Sequence, residues 1–180
     1  MKVSPPLPPS LLSPEKLHEL METARRSPPG DLVEVGVYKG GSARALAEVG
    51  REQGRTVHLF DTFDGIPCAD EIDLHKVGDF ADTQLSDVLR ALQGYDVCIY
   101  CGTFPETMPP LIHSVALAHI DCDQYRSVKA CCETLAPFMV PGGVMVFDDY
   151  DVLPGAKLAV DEAFPGRVEM SREGKARVHF

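Results

Sequence analysis

The sequence lacks the features that mark nucleic-acid-binding, membrane and secreted proteins. Acidic residues outnumber basic residues by 27 to 17, which gives a formal net charge of −10, and no basic patch of the kind that binds nucleic acid is present. The apolar runs are too short to span a bilayer. The first residues lack the charged start and the apolar stretch of a signal peptide. We therefore expect a cytoplasmic protein with no nucleic-acid partner and no membrane partner.

Cysteine is present, but not in the pattern of a disulfide framework. The chain has six cysteines among 180 residues, and Cys131 and Cys132 are adjacent. This usage is typical of a reducing compartment, so we expect free thiols that are mostly buried. Cys98 and Cys101 have the spacing of a redox pair, but they lie along a predicted strand and not at a helix N-terminus, where a reactive thiol is expected. We interpret them as core residues.

The remaining composition is that of one globular domain. Hydrophobic residues make up 44% of the chain and charged residues 24%, which is ordinary for a soluble domain large enough to bury a core. The first residues are dense in proline, which favours polyproline II or disorder. We expect a loose proline-rich arm over residues 1–12 and one folded domain over residues 13–180. A segment that docks in an SH3-like groove is the alternative for the arm.

Strand and helix patterns alternate along the folded part of the chain. Ser13 followed by Pro14 and Glu15 predicts the start of a first helix. The alternation that follows predicts an α/β fold with a mostly parallel sheet and helices on both faces. Residues 62–82 form a long irregular loop of the kind that often acts as a lid. Strands are predicted at 31–35, 56–60, 96–100, 115–120 and 144–147, helices at 40–53, 83–92, 124–136 and 154–164, at most a short helix at 104–108, and a final hairpin at 167–170 and 176–180.

Two of the predicted strands end in pairs of acidic residues. Asp121 and Asp123 follow one buried strand, and Asp148 and Asp149 follow the next. In open sheets of this kind, ligands bind beyond the carboxyl ends of the strands. Four carboxylates this close repel each other unless a cation neutralises them, and oxygen ligands suit Mg²⁺. The alternative is that some of these acids cap helices or lie in solvated turns, as Asp123 could do before residue 124.

The segment E-V-G-V-Y-K-G-G-S, residues 34–42, predicts a ligand-binding loop that opens a helix. Its glycines allow close approach of a ligand, and the helix N-terminus favours an anion. A dinucleotide-binding fingerprint needs glycine where Tyr38 stands, which disfavours NAD. The acids that end the first two strands, Glu34 and Asp61, fit S-adenosylmethionine, because carboxylates accept hydrogen bonds from an amino group and from ribose hydroxyls. Ser42 could meet the methionine carboxylate, whereas Asp61 could also be a simple turn residue.

Several stretches carry a specific pattern and together cover most of residues 31–165. They are FDTFDGIP at 60–67, GTFPETMP at 102–109, DCDQYRS at 121–127, and residues 141–150 and 155–164. In combination they resemble the macrocin O-methyltransferase family, the sugar O-methyltransferases of antibiotic pathways. The loop at 34–42 is also similar to that of catechol O-methyltransferases, which share the pattern E-x-G-x-Y-x-G-x-S.

The resemblance implies a single-domain, Rossmann-like class I methyltransferase fold. Its sheet would have seven mostly parallel strands in the order 3-2-1-4-5-7-6, with the last strand antiparallel and helices on both faces. Members of the family usually carry a longer N-terminal region that helps to close over the acceptor. A homodimer is expected by analogy with the family.

The resemblance also implies a divided set of site residues. Asp121, Asp148 and Asp149 would bind Mg²⁺ or another divalent cation, and Asp123 would be the general base or else a residue of the metal shell. S-adenosylmethionine would be held by Glu34, Gly36, Tyr38, Gly40, Ser42, Asp61, Thr62, Gly102, Phe104 and Asp121.

We therefore expect a metal-dependent O-methyltransferase that acts on a small hydroxylated molecule, a sugar or a glycosylated natural product. The mechanism expected is direct displacement, with a deprotonated hydroxyl attacking the sulfonium methyl group. Tyr125 and Tyr150 flank the acids and are candidates for the acceptor pocket, whereas His58 and His119 are expected in the core. Two other functions stay open: an NAD-linked dehydrogenase on a similar sheet, and a non-catalytic module that binds the cofactor or a partner.

Overall fold

A computed structural model of the protein describes residues 8–180. The SH3-docking alternative rests largely on residues 1–7, which lie outside the described residues. The helices are α1 (Pro14–Arg26), α2 (Gly41–Gln53), α3 (Leu85–Ala91), α4 (Tyr125–Leu135) and α5 (Pro154–Ala163), with a 3₁₀ turn at Ala136–Phe138. The strands are β1 (Asp31–Val35), β2 (Val57–Asp61), β3 (Val97–Cys101), β4 (Val115–Ile120), β5 (Met139–Phe147), β6 (Glu169–Met170) and β7 (Ala176–His179).

The seven strands form one sheet in the order β3-β2-β1-β4-β5-β7-β6. Neighbouring strands from β3 to β5 are parallel, and β7 is antiparallel to both of its neighbours. The predicted fold class and strand order are therefore confirmed. No helix among residues 8–180 is long and apolar enough to cross a membrane.

The core lies on both faces of the sheet. Successive side chains of a strand point to opposite faces, so Leu32 of β1 packs with the layer of α1 and α2, while Val33 packs with the layer of α4 and α5. Both β1 and β4 are buried almost throughout, which explains why β4 is almost wholly apolar and why the acid Glu34 of β1 is itself buried. Helix α1 begins as expected, because the Ser13 hydroxyl accepts a hydrogen bond from Lys16 N at 3.2 Å.

The register of the strands brings the acids to one edge. Ile120 of β4 pairs with Val35 of β1 and with Phe147 of β5. The backbone ladder continues one residue further, where Asp121 N donates to Val35 O at 2.9 Å and Asp148 N donates to Ile120 O at 3.1 Å. The two acidic segments thus start side by side at the carboxyl edge of the sheet.

Two local expectations within the sheet differ from the structure. Strand β5 begins at Met139, so it includes the Pro-Gly-Gly segment predicted to be a turn; Phe180 bonds to both glycines of that segment and holds it in the sheet. Residues 104–107 form turns, which agrees with the expectation of at most a short helix there. The cysteines are free, but only Cys131 and Cys132 are buried, and Cys101 is exposed, because β3 is an edge strand of the sheet.

The described part of the N-terminal arm is packed against the domain and not loose. Leu12 is buried and belongs to the core layer of α1 and α2. A side chain on Gly41, the first residue of α2, would overlap Ser10. Residues 9–12 therefore cover the start of α2, which is the end of the helix where the predicted cofactor loop enters.

Gly36→Ala is expected to destabilise the protein more than Gly54→Ala. Both glycines have positive φ, +93° and +66°, so alanine costs about 1–2 kcal/mol at either site. A Cβ at position 36 would also overlap the backbone carbonyl of Asp121, whereas a Cβ at position 54 has no neighbour within 4 Å. Thermal unfolding of the two variants without ligand measures the difference. Equal losses of stability would mean that the packing of the loop after β1 against the end of β4 does not require a residue without a side chain at position 36.

Candidate active site

A cavity of about 380 Å³ lies at the carboxyl edge of the sheet. This volume is in the range typical of small-molecule sites. Its walls come from the segments that follow β1, β2, β3, β4 and β5, from the loop at 62–82, and from residues 9–12 and Lys16 at the N-terminal side. The position is the one expected for a ligand site in an open parallel sheet.

Asp61, at the end of β2, fastens the loop that follows β1. Its Oδ2 accepts hydrogen bonds from the backbone amides of Val37 and Tyr38 at 2.7 and 2.8 Å, and its Oδ1 accepts one from Phe63 N at 2.7 Å. Asp61 is thus the turn residue that one interpretation predicted. A carboxylate has about four acceptor positions, so three backbone bonds leave room for one from a ligand in the cavity.

Three residues beside the cavity, each from a different loop, have strained backbone conformations. Tyr38 has a φ of +49°, and Phe80 and Asp123, which also line the cavity, have φ of +62°. Positive φ is costly for residues with side chains and tends to cluster at functional sites. Tyr38 is held in place because its hydroxyl donates to Asp82 at 2.7 Å and its carbonyl accepts from Thr83 at 2.7 Å.

Most of the predicted cofactor residues line the cavity, and two do not. Glu34 is completely buried below the loop, where its Oε1 lies 2.8 Å from Nδ1 of His119. Burial raises the pKa of Glu34 to about 8. Gly40 is likewise outside the cavity lining. The predicted residues in the lining are Gly36, Tyr38, Ser42, Asp61, Thr62, Gly102, Phe104 and Asp121.

Three of the four predicted acids gather around one point in the cavity. One carboxylate oxygen each from Asp121, Asp123 and Asp149 lie within 4.8 Å of one another. Asp148 also lines the cavity, but its Oδ1 is 2.5 Å from Nζ of Lys175 and 3.6 Å from Nζ of Lys16. The structure therefore groups Asp123 with Asp121 and Asp149, and it pairs Asp148 with lysines.

Burial and mutual repulsion make these carboxyl groups hard to ionise without a counter-ion. Burial, followed by Asp149 and Asp148, raises the pKa of Asp123 to about 7. Burial and then Asp148 raise the pKa of Asp121 well above its ordinary value, and the same two causes raise the pKa of Asp149. A cation placed among them would relieve both effects.

Asp123 is not the cap of helix α4. The first amide of the helix, Tyr125 N, donates instead to Asp73 Oδ1 at 2.9 Å. Asp73 belongs to the loop at 62–82, which is anchored again where Gln124 Nε2 donates to the carbonyl of His75 at 3.1 Å. The capping interpretation of Asp123 is therefore wrong, and its side chain is left to the cavity.

The two tyrosines expected in the acceptor pocket point elsewhere. The Tyr125 hydroxyl donates to Glu162 at 2.8 Å, and the Tyr150 hydroxyl donates to Asp161 at 2.5 Å; neither tyrosine lines the cavity. The expectation that His58 and His119 lie in the core agrees with the structure. His58 and His119 are buried, and each has a hydrogen-bond partner.

Sequence reasoning missed the basic residues near the acids. Lys16 on α1 lines the cavity, and Lys175 lies under Asp148. Neither position carries a local signal, because lysines on amphipathic helices and in turns are usually exposed. Phe80 of the loop at 62–82 also lines the cavity, and only the length of that loop pointed to a role.

A Rossmann-like sheet with a cavity at its carboxyl edge is typical of α/β proteins that bind a ligand at that edge, and comparison with known proteins gives the family. The chain belongs to the macrocin-O-methyltransferase (TylF) family, whose family model matches residues 13–168. The resemblance drawn from the sequence motifs is thereby confirmed.

The chain is similar to proteins named as O-methyltransferases of natural products. It is 33% identical over 151 residues to demethyldecarbamoylnovobiocin O-methyltransferase of Streptomyces niveus, covering 74% of this chain and 58% of that protein. It is 31% identical over 166 residues to mycinamicin III 3''-O-methyltransferase of Micromonospora griseorubida, covering 81% of this chain and 65% of that protein. The chain thus spans less than two thirds of the length of these relatives.

Solved structures share the fold. The O-methyltransferase NovP matches with a TM-score of 0.81 and 25% identity, over 94% of this chain and 81% of that one. The calicheamicin methyltransferase CalS11 matches with a TM-score of 0.76 and 23% identity, over 94% and 81% of the two chains.

The metal-free protein is expected to lose stability as the pH rises from 6.5 to about 8. Asp123 and Glu34 have raised pKa values of about 7 and about 8, so the folded state binds more protons than the unfolded state in this window, and stability falls with pH. His58 and His119, whose pKa values are lowered by burial, oppose this only below about 6.5.

Thermal unfolding in the presence of a chelator, measured across this pH range, checks the sign. Asp123→Asn should flatten the slope, since one of the carboxyl groups with a raised pKa is removed. Added Mg²⁺ should also reduce the loss. A melting temperature that rises with pH in the chelated wild-type protein would contradict the expectation.

Proposed function

We propose that this chain transfers a methyl group from S-adenosylmethionine to a hydroxyl group of a glycosylated natural product, with the help of a divalent cation. The observation that carries the proposal is that one cavity contains both the loop after β1 and the acid cluster. The chain's similarity to methyltransferases named for novobiocin-type and mycinamicin-type compounds supports the acceptor class. Family membership argues against the NAD-linked dehydrogenase.

The cavity residues fit S-adenosylmethionine in charge and in hydrogen-bonding capacity. Asp61 retains an acceptor position for a ribose hydroxyl, and Ser42 presents a hydroxyl at the start of α2, where an anionic carboxylate is favoured. Glu34 has an oxygen, Oε2, without a hydrogen-bond partner among residues 8–180. Because Glu34 lies below the cavity lining, we assign it to the support of the loop.

The acid cluster fits a divalent cation. Lys175 and Lys16 offset part of the charge of the four aspartates, which leaves the charge of about two carboxylates for one ion such as Mg²⁺ to neutralise. Asp121 and Asp149 would hold the ion, together with Asp148 through the oxygen that Lys175 does not engage, or with Asp123. All of the donors are oxygens, which suits a hard cation.

The chain's own residues would position the acceptor and take its proton. S-adenosylmethionine supplies an electrophilic methyl group, and a divalent cation lowers the pKa of a hydroxyl bound to it. Asp123, with a pKa raised to about 7 in the metal-free protein, is suited to accept the hydroxyl proton near neutral pH. The walls formed by residues 9–12 and by the loop at 62–82 would exclude water and hold the reacting groups in line.

A homodimer and a cytoplasmic location stay predictions.

Cofactor binding and turnover test the proposal together. Calorimetry should detect binding of S-adenosylhomocysteine and no binding of NAD. A panel of glycosylated phenols and macrolides, incubated with S-adenosylmethionine, should yield a product heavier by one methylene group only when Mg²⁺ is present. Cofactor binding without metal-stimulated turnover of any acceptor in the panel would favour the non-catalytic module. Full turnover in the presence of a chelator would show that the reaction does not need the cation.

Asp123→Asn and Asp148→Asn are expected to have different effects. Loss of a general base lowers kcat by about 10²- to 10⁴-fold, so Asp123→Asn should lose turnover while binding S-adenosylhomocysteine and Mg²⁺ normally. Asp148→Asn should weaken Mg²⁺ binding. The control is Asp151→Asn, an exposed acid of the same turn outside the cavity lining. Full activity of Asp123→Asn rules out the base, and loss of Mg²⁺ binding in that variant makes Asp123 a metal ligand.

A further inference from the structure

Lys175 is a lysine whose side chain is completely buried. It stands in the turn between β6 and β7, with 0% of its surface exposed, an environment that lysine enters only when its charge is paired. Two hydrogen bonds fix its backbone, since Lys175 N donates to the Ser171 hydroxyl at 3.0 Å and its carbonyl accepts from Ser171 N at 2.8 Å. The hairpin therefore delivers one ammonium group to a fixed point under the acid cluster.

That ammonium group joins two parts of the candidate active site. Nζ of Lys175 lies 2.5 Å from Oδ1 of Asp148 and 3.2 Å from Nε2 of His119. Nδ1 of His119 in turn lies 2.8 Å from Oε1 of Glu34. A buried series of hydrogen-bonded side chains therefore connects the acid cluster with Glu34, the residue beneath the loop after β1.

The direction of the hydrogen bonds follows from the chemistry of the groups. An ammonium group has three donors and no acceptor, so Nε2 of His119 must accept the hydrogen bond from Lys175. The proton of a neutral His119 then sits on Nδ1, from which it is donated to Glu34. Lys175 consequently selects the tautomer of His119 as well as the orientation of Asp148.

We propose that Lys175 is a positioning residue that holds Asp148 at the acid cluster and His119 in its Nδ1–H form against Glu34. This proposal rests on the proposed function, because it holds that one buried ammonium group positions both the proposed cation-binding residues and the proposed cofactor-binding loop. Lys16 does not duplicate the role. Its Nζ is 3.6 Å from Asp148 Oδ1, and 28% of its side chain is exposed, so solvent screens it and its position is less restricted.

The test compares Lys175→Met with Asp148→Asn, with the double variant, and with Lys157→Met as the matched control. Lys157 is paired with Asp161 at 2.9 Å, but 50% of its side chain is exposed and it lies outside the cavity lining. Removing one partner of a buried ion pair leaves an unpaired charge, whereas removing both partners does not. We expect the melting temperature without ligands to fall by about 10 °C in Lys175→Met and by less in the double variant.

The tautomer of His119 distinguishes the two roles of Lys175. If Lys175 only fills space, its replacement by methionine should leave the tautomer unchanged. Nitrogen-15 spectra of the imidazole should show the Nδ1–H form in the wild-type protein, in Asp148→Asn and in Lys157→Met. They should show loss of that form in the double variant, and in Lys175→Met if it folds. Because the double variant and Asp148→Asn differ only at residue 175, the comparison holds even when Lys175→Met does not fold.

Binding of S-adenosylhomocysteine, measured in a chelator, completes the test. The double variant should bind it about three- to tenfold more weakly than Asp148→Asn does. Equal affinity together with an unchanged tautomer would overturn the proposal and leave Lys175 a structural residue. The tautomer and the melting temperatures are read without turnover, so a wild-type protein that fails to methylate any acceptor would count against the proposed function alone.

Discussion

Electrostatic repulsion at one edge of the sheet is the constraint on which the site depends. The parallel register of β4 and β5 places Asp121 and Asp148 side by side, and the next residues bring Asp123 and Asp149 into the same cavity. Carboxylates that are buried together resist ionisation unless positive charge is near. The fold supplies part of that charge through Lys175 and leaves a cavity whose remaining charge suits a cation.

A steric constraint connects this edge to the cofactor loop. Gly36 passes so close to the backbone of Asp121 that a side chain would overlap it, and Asp61 binds the amides of the two residues that follow. The loop can therefore lie against the end of β4 because Gly36 has no side chain, and the carboxylate of Asp61 holds it there. This arrangement would put a methyl donor bound at the loop next to the acids that are proposed to activate its acceptor.

Much of the fold followed from sequence pattern, and the errors have common physical causes. The buried strand β4 gave a clear apolar run, and the family resemblance implied the order of the sheet. Cys101 was expected in the core because its strand looked like the others, but an edge strand has only one neighbour. Tyr125 and Tyr150 flank the acids in sequence, yet pairing with Glu162 and Asp161 turns both side chains away from the cavity.

By itself, the sequence determined the class of fold, the loop after β1 and the four acids at the ends of two strands, because periodicity and short motifs are local properties. Only the tertiary structure decided how those acids are divided. It grouped Asp121 and Asp149 with Asp123, and it paired Asp148 with Lys175, 27 residues away. Contacts between residues this distant depend on strand register and on the packing of the final hairpin, which leave no periodic or local signal in the chain.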